Sequence, residues 1–225
     1  MTDVDRPAVA EPISFHFDPL CPWCWQTSRW IRQIRELGLV EVTWAFFSLS
    51  IVNWDGPIPE FDPTDARGVA ALRTAVAVRD GFGNDALDRY YASLGHRIWD
   101  EVASPDNVTT IEGALGDAGL DAGLCPQALE DHTTWETVLR EHTELCDETR
   151  SFGVPTIRLD GGTGPAIFGP VISNPPASDE EAAELWTHVA WLARYENFSE
   201  LKRERTIEPD LERFRVRARE RAARG

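Results

Sequence analysis

Two thiols stand three positions apart in Asp18-Pro19-Leu20-Cys21-Pro22-Trp23-Cys24-Trp25, and that spacing is the clearest chemistry in the sequence. Residues three apart share one face of a helix, so Cys21 and Cys24 lie close enough to make and break a disulfide. Pro22 suits a first helical turn, because its missing N–H would have been unpaired there anyway. Cys21 then sits where free N–H groups and the positive end of the helix dipole favour a thiolate, the nucleophilic form of cysteine. Cys24, one turn further in, is the more covered of the two. The pair reads as redox-active, with Cys21 as nucleophile and Cys24 as resolving thiol.

Other residues compete for a role. A four-cysteine zinc site would need Cys125 and Cys146, but these are twenty-one positions apart in a helical region, whereas zinc ligands come in close pairs. No metal is expected, and Cys125 and Cys146 read as small buried apolar residues. Asp18 is a strand-end residue bonding the turn's N–H groups, with a proton-accepting role near the thiols as the alternative. Trp23, between the cysteines, is expected to be exposed and to form an apolar contact surface. Asn53 and Phe61, in the loop after the second strand, are candidates for a substrate pocket with Trp23. His16 reads as a core histidine, and His96, His132, His142 and His188 as helix-surface residues without metal spacing.

The motif needs a strand before it and a helix after it. Ile13–Phe17 supplies an apolar strand, and Trp23, Trp30, Ile31, Ile34 and Leu37 fall near helical spacing until Gly38 stops the helix. Val40–Phe47 is rich in β-branched and aromatic residues and forms a second strand, which makes a parallel βαβ unit. The pattern over 62–149 is helical. It predicts a helix from an Asp62 cap through Val78, a second over Asn84–Trp99, a third from Ser104-Pro105 through Leu115, and a long one over Pro126–Thr149. Strands return at Gly153–Leu159 and Ala166–Gly169 around the Asp160-Gly161-Gly162 turn. Ser178-Asp179-Glu180-Glu181 then opens a last helix with a capping box. The arginine-rich 200–225 segment reads as a solvated terminal helix or tail, and residues 1–12 as polar and frayed.

Composition limits the partners. The net charge of −16 opposes nucleic acid and anionic membrane surfaces, both of which demand positive charge. No run reaches the apolar length of a membrane span, and the first residues lack the apolar core of a secretory signal. The expected setting is the cytoplasm, and the expected partner a small molecule, a thiol or another protein. The dipeptide Pro22-Trp23 places no positive charge beside the thiolate. A potential nearer roughly −200 to −230 mV than the roughly −120 mV of a strong oxidant is therefore expected.

The order βαβ, helical insertion, ββα resembles the thioredoxin fold interrupted as in DsbA-type oxidoreductases. The likeness rests on Cys21-Pro22-Trp23-Cys24 and on Gly153-Val154-Pro155-Thr156. In that family a cis proline faces the disulfide. Pro155 matches this position, and Val154 matches the residue whose backbone meets the bound partner. The boundaries implied are 11–61 plus 150–197 for a thioredoxin-like domain, 62–149 for the insertion, and 198–225 for a charged C-terminal segment.

Phe17–Trp25, Thr27-Ser28-Arg29-Trp30, Ser48-Leu49, Phe168-Gly169-Pro170-Val171 and Glu200-Leu201-Lys202-Arg203 narrow the likeness. They resemble the actinobacterial mycothiol-dependent reductases, also described as mycoredoxin-like proteins or mycothiol-dependent nitroreductases. The resemblance implies mycothiol as reducing co-substrate, no flavin, a cytosolic setting, dimers in at least some members, and disulfide or nitro substrates. Val154 departs from the Thr-Pro-Thr common in the family. Two rival readings remain beside it: a general protein-disulfide oxidoreductase, and a redox sensor in which a Cys21–Cys24 disulfide reorganises the insertion.

Overall fold

The computed structural model describes residues 9–224. Strands β1 (Glu11–Phe17), β2 (Val40–Phe46), β3 (Thr156–Arg158) and β4 (Ala166–Phe168) form one sheet in the order β2-β1-β3-β4. β1 runs parallel to β2 and antiparallel to β3, and β3 runs antiparallel to β4. Phe15 lies level with Trp44 on one side and Ile157 on the other. Every residue from Ile13 to Phe17 is buried, as suits a central strand covered on both faces. Each such fully buried apolar side chain contributes roughly 1.5–3 kcal/mol relative to leaving it in water.

Helix α1 (Pro22–Glu36) follows β1 and buries Cys24, Trp25, Trp30, Ile31 and Ile34. Gly38 ends it with φ +73, a conformation that a side chain would strain. The last long helix of the sheet region, Asp179–Arg194, packs on α1: Trp30 Nε1 donates to Ala182 O at 3.1 Å, and Trp30 lies 6.3 Å from Trp186. Its start is the expected Ser178 cap, whose hydroxyl accepts from Glu181 N–H.

Between β2 and β3 the chain makes a four-residue helix α2 (Leu49–Val52), a 3-10 turn (Ile58–Glu60) and five helices: α3 (Val69–Phe82), α4 (Asn84–Gly95), α5 (Val108–Asp117), α6 (Leu124–Glu130) and α7 (His132–Thr149). A π-helical turn, His96–Asp100, extends α4. Side chains of these helices finish the outer edge of β2. Asn84 accepts from Trp44 N–H and donates to Val42 O, Glu141 accepts from Phe46 N–H, and His142 Nδ1 accepts from Ser48 N–H. A buried ion pair ties α1 to α4, with Asp88 accepting from Arg32 and Arg35 at 2.7 Å each.

Several expected boundaries are corrected. Asp62 does not cap a helix; it closes a turn by accepting from Thr64 N–H, and α3 starts after Gly68, whose φ of +74 breaks the chain's direction. Ser104-Pro105 form a turn, and Asn107 caps α5 instead, accepting from Thr109 N–H. The long helix over 126–149 is two helices, because Asp131 leaves helical geometry and caps α7 through Thr133 N–H. His142 is buried against Phe47 rather than on the surface. Glu11 and Pro12 belong to β1 rather than to a frayed end; the rest of that expectation, over 1–8, lies outside the described residues.

The C-terminal segment is also more than a solvated tail. After the Asp179–Arg194 helix (α8), the chain returns through Leu211, which is fully buried, to α9 (Glu212–Arg224). Arg213 Nε donates to Ile98 O at 2.7 Å, which fixes α9 on the π-helical turn.

Candidate active site

The residue before α1 is Cys21 itself, so its sulfur takes the place of a capping oxygen. Cys21 Sγ accepts from Cys24 N–H at 3.3 Å at the positive end of α1. A backbone donor and the positive end of the helix dipole both point at this one sulfur. Cys21 retains 4% of its surface, and Cys24 retains none. Burial pushes the Cys24 thiol well above the ordinary cysteine range, and its hydrogen bond to Cys21 adds to the rise. All four cysteines are free thiols.

The second motif closes over the first. The Cys21 thiol faces Val154 O at 3.5 Å, and the Val154–Pro155 peptide bond is cis. Thr156 Oγ1 donates to Gly153 O, and Gly169 N–H donates to Pro155 O, which hold this turn against the sheet. The 170–174 loop is fastened to the first turns of α1: Thr27 Oγ1 donates to Pro170 O, and Gln26 Nε2 donates to Ser173 O and to Asn174 Oδ1. Gln26 was not marked out by the sequence; a buried glutamine beside the motif has no local signal.

Asp18 takes the turn-bonding role expected of it. Its two oxygens accept from Leu20 N–H and Leu49 N–H at 2.7 Å each, so it shapes the turns on both sides of the cysteines. It is also fully buried, and burial pushes its carboxyl up to about 6 against the pull of those two N–H groups. Its charge further raises the Cys24 thiol, so the two are electrostatic neighbours. A carboxylate poised near neutrality beside a reluctant thiol can accept that thiol's proton. Turnover should therefore fall as pH drops through about 6, where Asp18 becomes protonated. In Asp18→Asn that limb should vanish and the rate should drop roughly 100-fold. A variant whose pH profile still shows the limb would assign it to another group.

Trp23 is half-buried rather than exposed. The C-terminal segment covers it: Phe214 meets its ring edge-on at 6.3 Å, and the Arg205 guanidinium lies 4.8 Å from its centre. Trp99 Nε1 donates to Pro19 O just before the motif, and its ring lies 6.5 Å from Phe214 and 5.7 Å from the Arg213 guanidinium. A cleft of about 130 Å³ opens here, with Pro22, Trp99 and Arg213 in its walls.

Asn53 and Phe61 do not line that cleft. Asn53 is exposed, and its amide donates to Leu49 O. Phe61 stacks on Trp135 at 5.5 Å and meets Trp54 edge-on at 5.8 Å. The structure thus brings Cys21, Cys24, Val154 and Trp23 together with Asp18, and it adds Arg205, Phe214 and Trp99. A signal for Phe214 existed: Leu211 and Phe214 are large apolar residues spaced i, i+3 in a strongly charged run.

No helix among the described residues is long and apolar enough to cross a membrane. The family model described as "Rv2466c-like: Mycothiol-dependent nitroreductase Rv2466c" matches residues 20–203. The uncharacterized protein Rv2286c of Mycobacterium tuberculosis (strain ATCC 25618 / H37Rv) is 34% identical over 192 residues, which span 85% of this chain and 81% of that one. Among solved structures, the cytosolic disulfide reductase DsbM from Pseudomonas aeruginosa with GSH superposes with a TM-score of 0.57 at 14% identity, covering 80% of this chain and 99% of its own. The disulfide oxidoreductase DsbA from Proteus mirabilis gives 0.50 at 21% identity, covering 82% and 88%. The fold is therefore the DsbA-like thioredoxin fold, as the residue pattern implied.

Proposed function

We propose, from the premise that the chain belongs to the Rv2466c-like family of mycothiol-dependent nitroreductases, that it is a cytoplasmic thiol–disulfide reductase drawing its electrons from mycothiol. The observation that carries the reading is the Cys21 sulfur, held as the cap of α1 by Cys24 N–H and facing the Val154 carbonyl.

The chemistry balances over two electrons. The Cys21 thiolate attacks one sulfur of a substrate disulfide, forming a mixed disulfide and releasing the other half as a thiolate. Cys24 loses its proton to Asp18 and attacks Cys21 Sγ, which forms the Cys21–Cys24 disulfide and releases the second substrate thiol. Two thiol equivalents from mycothiol restore the reduced pair. Pro155 and Val154 present backbone to the bound partner, and Trp23 offers it an apolar face. With 4% of Cys21 exposed, a slim small-molecule thiol or disulfide suits the access better than a folded protein. Nitro substrates follow from the family description and not from these residues.

Steady-state reduction of a small mixed disulfide, coupled to regeneration of mycothiol, is the test. Turnover with mycothiol and at least tenfold less with a peptide dithiol is expected. Equal turnover with both would favour the general protein-disulfide oxidoreductase. A Cys21–Cys24 disulfide that forms without turnover would favour the sensor.

A further inference from the structure

We infer that the cleft beside Pro22 is an anion subsite, built by Arg213 and Arg217 of the C-terminal helix with Arg67, and that it takes a carboxylate, sulfonate or phosphate carried by the substrate. The inference rests on the reductase reading and specifies the substrate class of the same site.

Four observations carry it. First, the place: Pro22 stands next to the reactive Cys21, and the same cleft is lined by Trp99, Arg67, Arg213 and Arg217. The two residues flanking Cys21 in the chain, Leu20 and Pro22, both line this cleft, so a substrate reaching Cys21 can extend a charged group into it.

Second, the pairing. α9 carries acidic residues, and its other arginines use them: Arg215 pairs with Asp210 and Glu212, and Arg219 with Glu212. Arg213 and Arg217, which line the cleft, have no carboxylate within ion-pair distance among the described residues. The donors of Arg213 go to the neutral carbonyls of Ile98 and Ala103, which position its guanidinium but leave its charge uncompensated. Arg67 is the weakest member, since it is largely exposed and pairs with Asp106 at 3.2 Å.

Third, the charge balance. In a chain with 38 acidic residues and 22 basic ones, three guanidinium groups at one cleft are the reverse of the general surface. Like charges repel when gathered, and burial together with Arg217 and Arg67 presses the Arg213 guanidinium down. An anion between them relieves that repulsion, and arginine's planar fork matches a carboxylate or phosphate oxygen pair.

Fourth, the size. About 130 Å³ holds a few heavy atoms, enough for an oxyanion and the carbons that join it to the reacting sulfur. The Trp99 wall suits an aromatic or methylene link between them.

The experiment compares two small disulfides of similar size: the dimer of thionitrobenzoate, with one carboxylate on each ring, and neutral dithiodipyridine. The measured quantity is the ratio of kcat/KM for the anionic over the neutral disulfide. Wild type should prefer the anion, and Arg217→Gln should lower the ratio about tenfold, the value of one charge-assisted contact. Arg217→Lys should recover part of it. Arg213→Gln should lower it further, with some loosening of α9, so Arg217 is the cleaner probe. A second measurement needs no turnover: titration calorimetry with nitrobenzoate, which has no thiol. Its Kd should rise about tenfold in Arg217→Gln. A ratio and a Kd both unmoved by Arg217→Gln overturn the subsite. If neither disulfide is reduced while nitrobenzoate still binds through Arg217, the reductase reading fails and the anion site stands.

Discussion

Cys21→Ser should abolish turnover, with a loss of more than about 1,000-fold, because a neutral hydroxyl at the cap cannot replace an activated sulfur nucleophile. Cys24→Ser should behave differently. Its first step needs only the Cys21 sulfur, which keeps the backbone N–H of residue 24 and the helix dipole, since neither depends on the Cys24 side chain. The loss is of the buried thiol that closes the ring and expels the bound half. The variant should therefore collect one substrate half as a mixed disulfide on Cys21. Intact-protein mass spectrometry after a single addition of substrate reads the adduct directly, and peptide mapping places it. Excess mycothiol then decides the fate of the adduct. Release leaves partial activity by a one-thiol route; retention makes the variant a trap for the physiological substrate. An adduct on residue 24 in the reverse variant, or turnover by Cys21→Ser, would invert or remove the assigned roles.

The second large effect is on stability and lies one residue beyond the motif. Gly95 is where α4 meets the indole of Trp25: a Cβ there would sit 2.2 Å from Trp25 Cε3, with two further ring atoms inside 3 Å. Helix propensity alone makes Gly→Ala favourable by about 1 kcal/mol. The overlap opposes it and is larger. Trp25 is 6% exposed and is hemmed in by Tyr91 at 6.2 Å and the Arg32 guanidinium at 5.9 Å, so the ring has no empty space to enter. Overpacking of a core typically costs about 1–3 kcal/mol, and a rigid ring places this case at the upper end. Gly95→Ala should therefore lose about 3 kcal/mol, a fall in Tm of about 6–12 °C for a chain of this size. Chemical denaturation checks the first figure and calorimetry the second. The Trp25→Leu/Gly95→Ala double variant should be less destabilised than the sum of the two single changes, because the overlap is shared. A Gly95→Ala protein as stable as wild type would show that the contact yields.

Elements fixed by short-range chemistry were legible in the sequence. β1, α1, β2 and the Ser178 cap follow from alternation, a proline at a first turn, a stopping glycine and a capping box. The insertion was legible as helical, and its breaks were not. α6 and α7 both carry apolar residues at helical spacing, so the single non-helical residue Asp131 between them leaves the period undisturbed. Gly68 and Asn107 won over Asp62 and Ser104 for a related reason. All four are plausible starts, and tertiary bonds such as Gly68 N–H to Asp106 choose among them.

The site divides in the same way. Cys21, Cys24, Pro155 and the turn-shaping part of Asp18 were visible because each belongs to a short motif. The cover over Trp23 was hidden because it comes from Arg205 and Phe214, far along the chain, in a stretch whose charge reads as solvated. Burial and the carbonyls of Ile98 and Ala103 distinguish Arg213 from its neighbours on α9, and both are properties of the fold.

The finished edge of β2 restricts how copies of this chain can join. A common route to a two-fold dimer continues a sheet from one subunit into the next through an edge strand with free main-chain groups. On β2 the outward carbonyl of Val42 and the outward N–H groups of Trp44 and Phe46 are already taken by Asn84 and Glu141. A second subunit pairing at these positions would have to displace those side chains and leave their polar groups unpaired. On the β2 side, continuing the sheet into a second copy through Val42–Phe46 is therefore disfavoured, and the other edge of the sheet is β4.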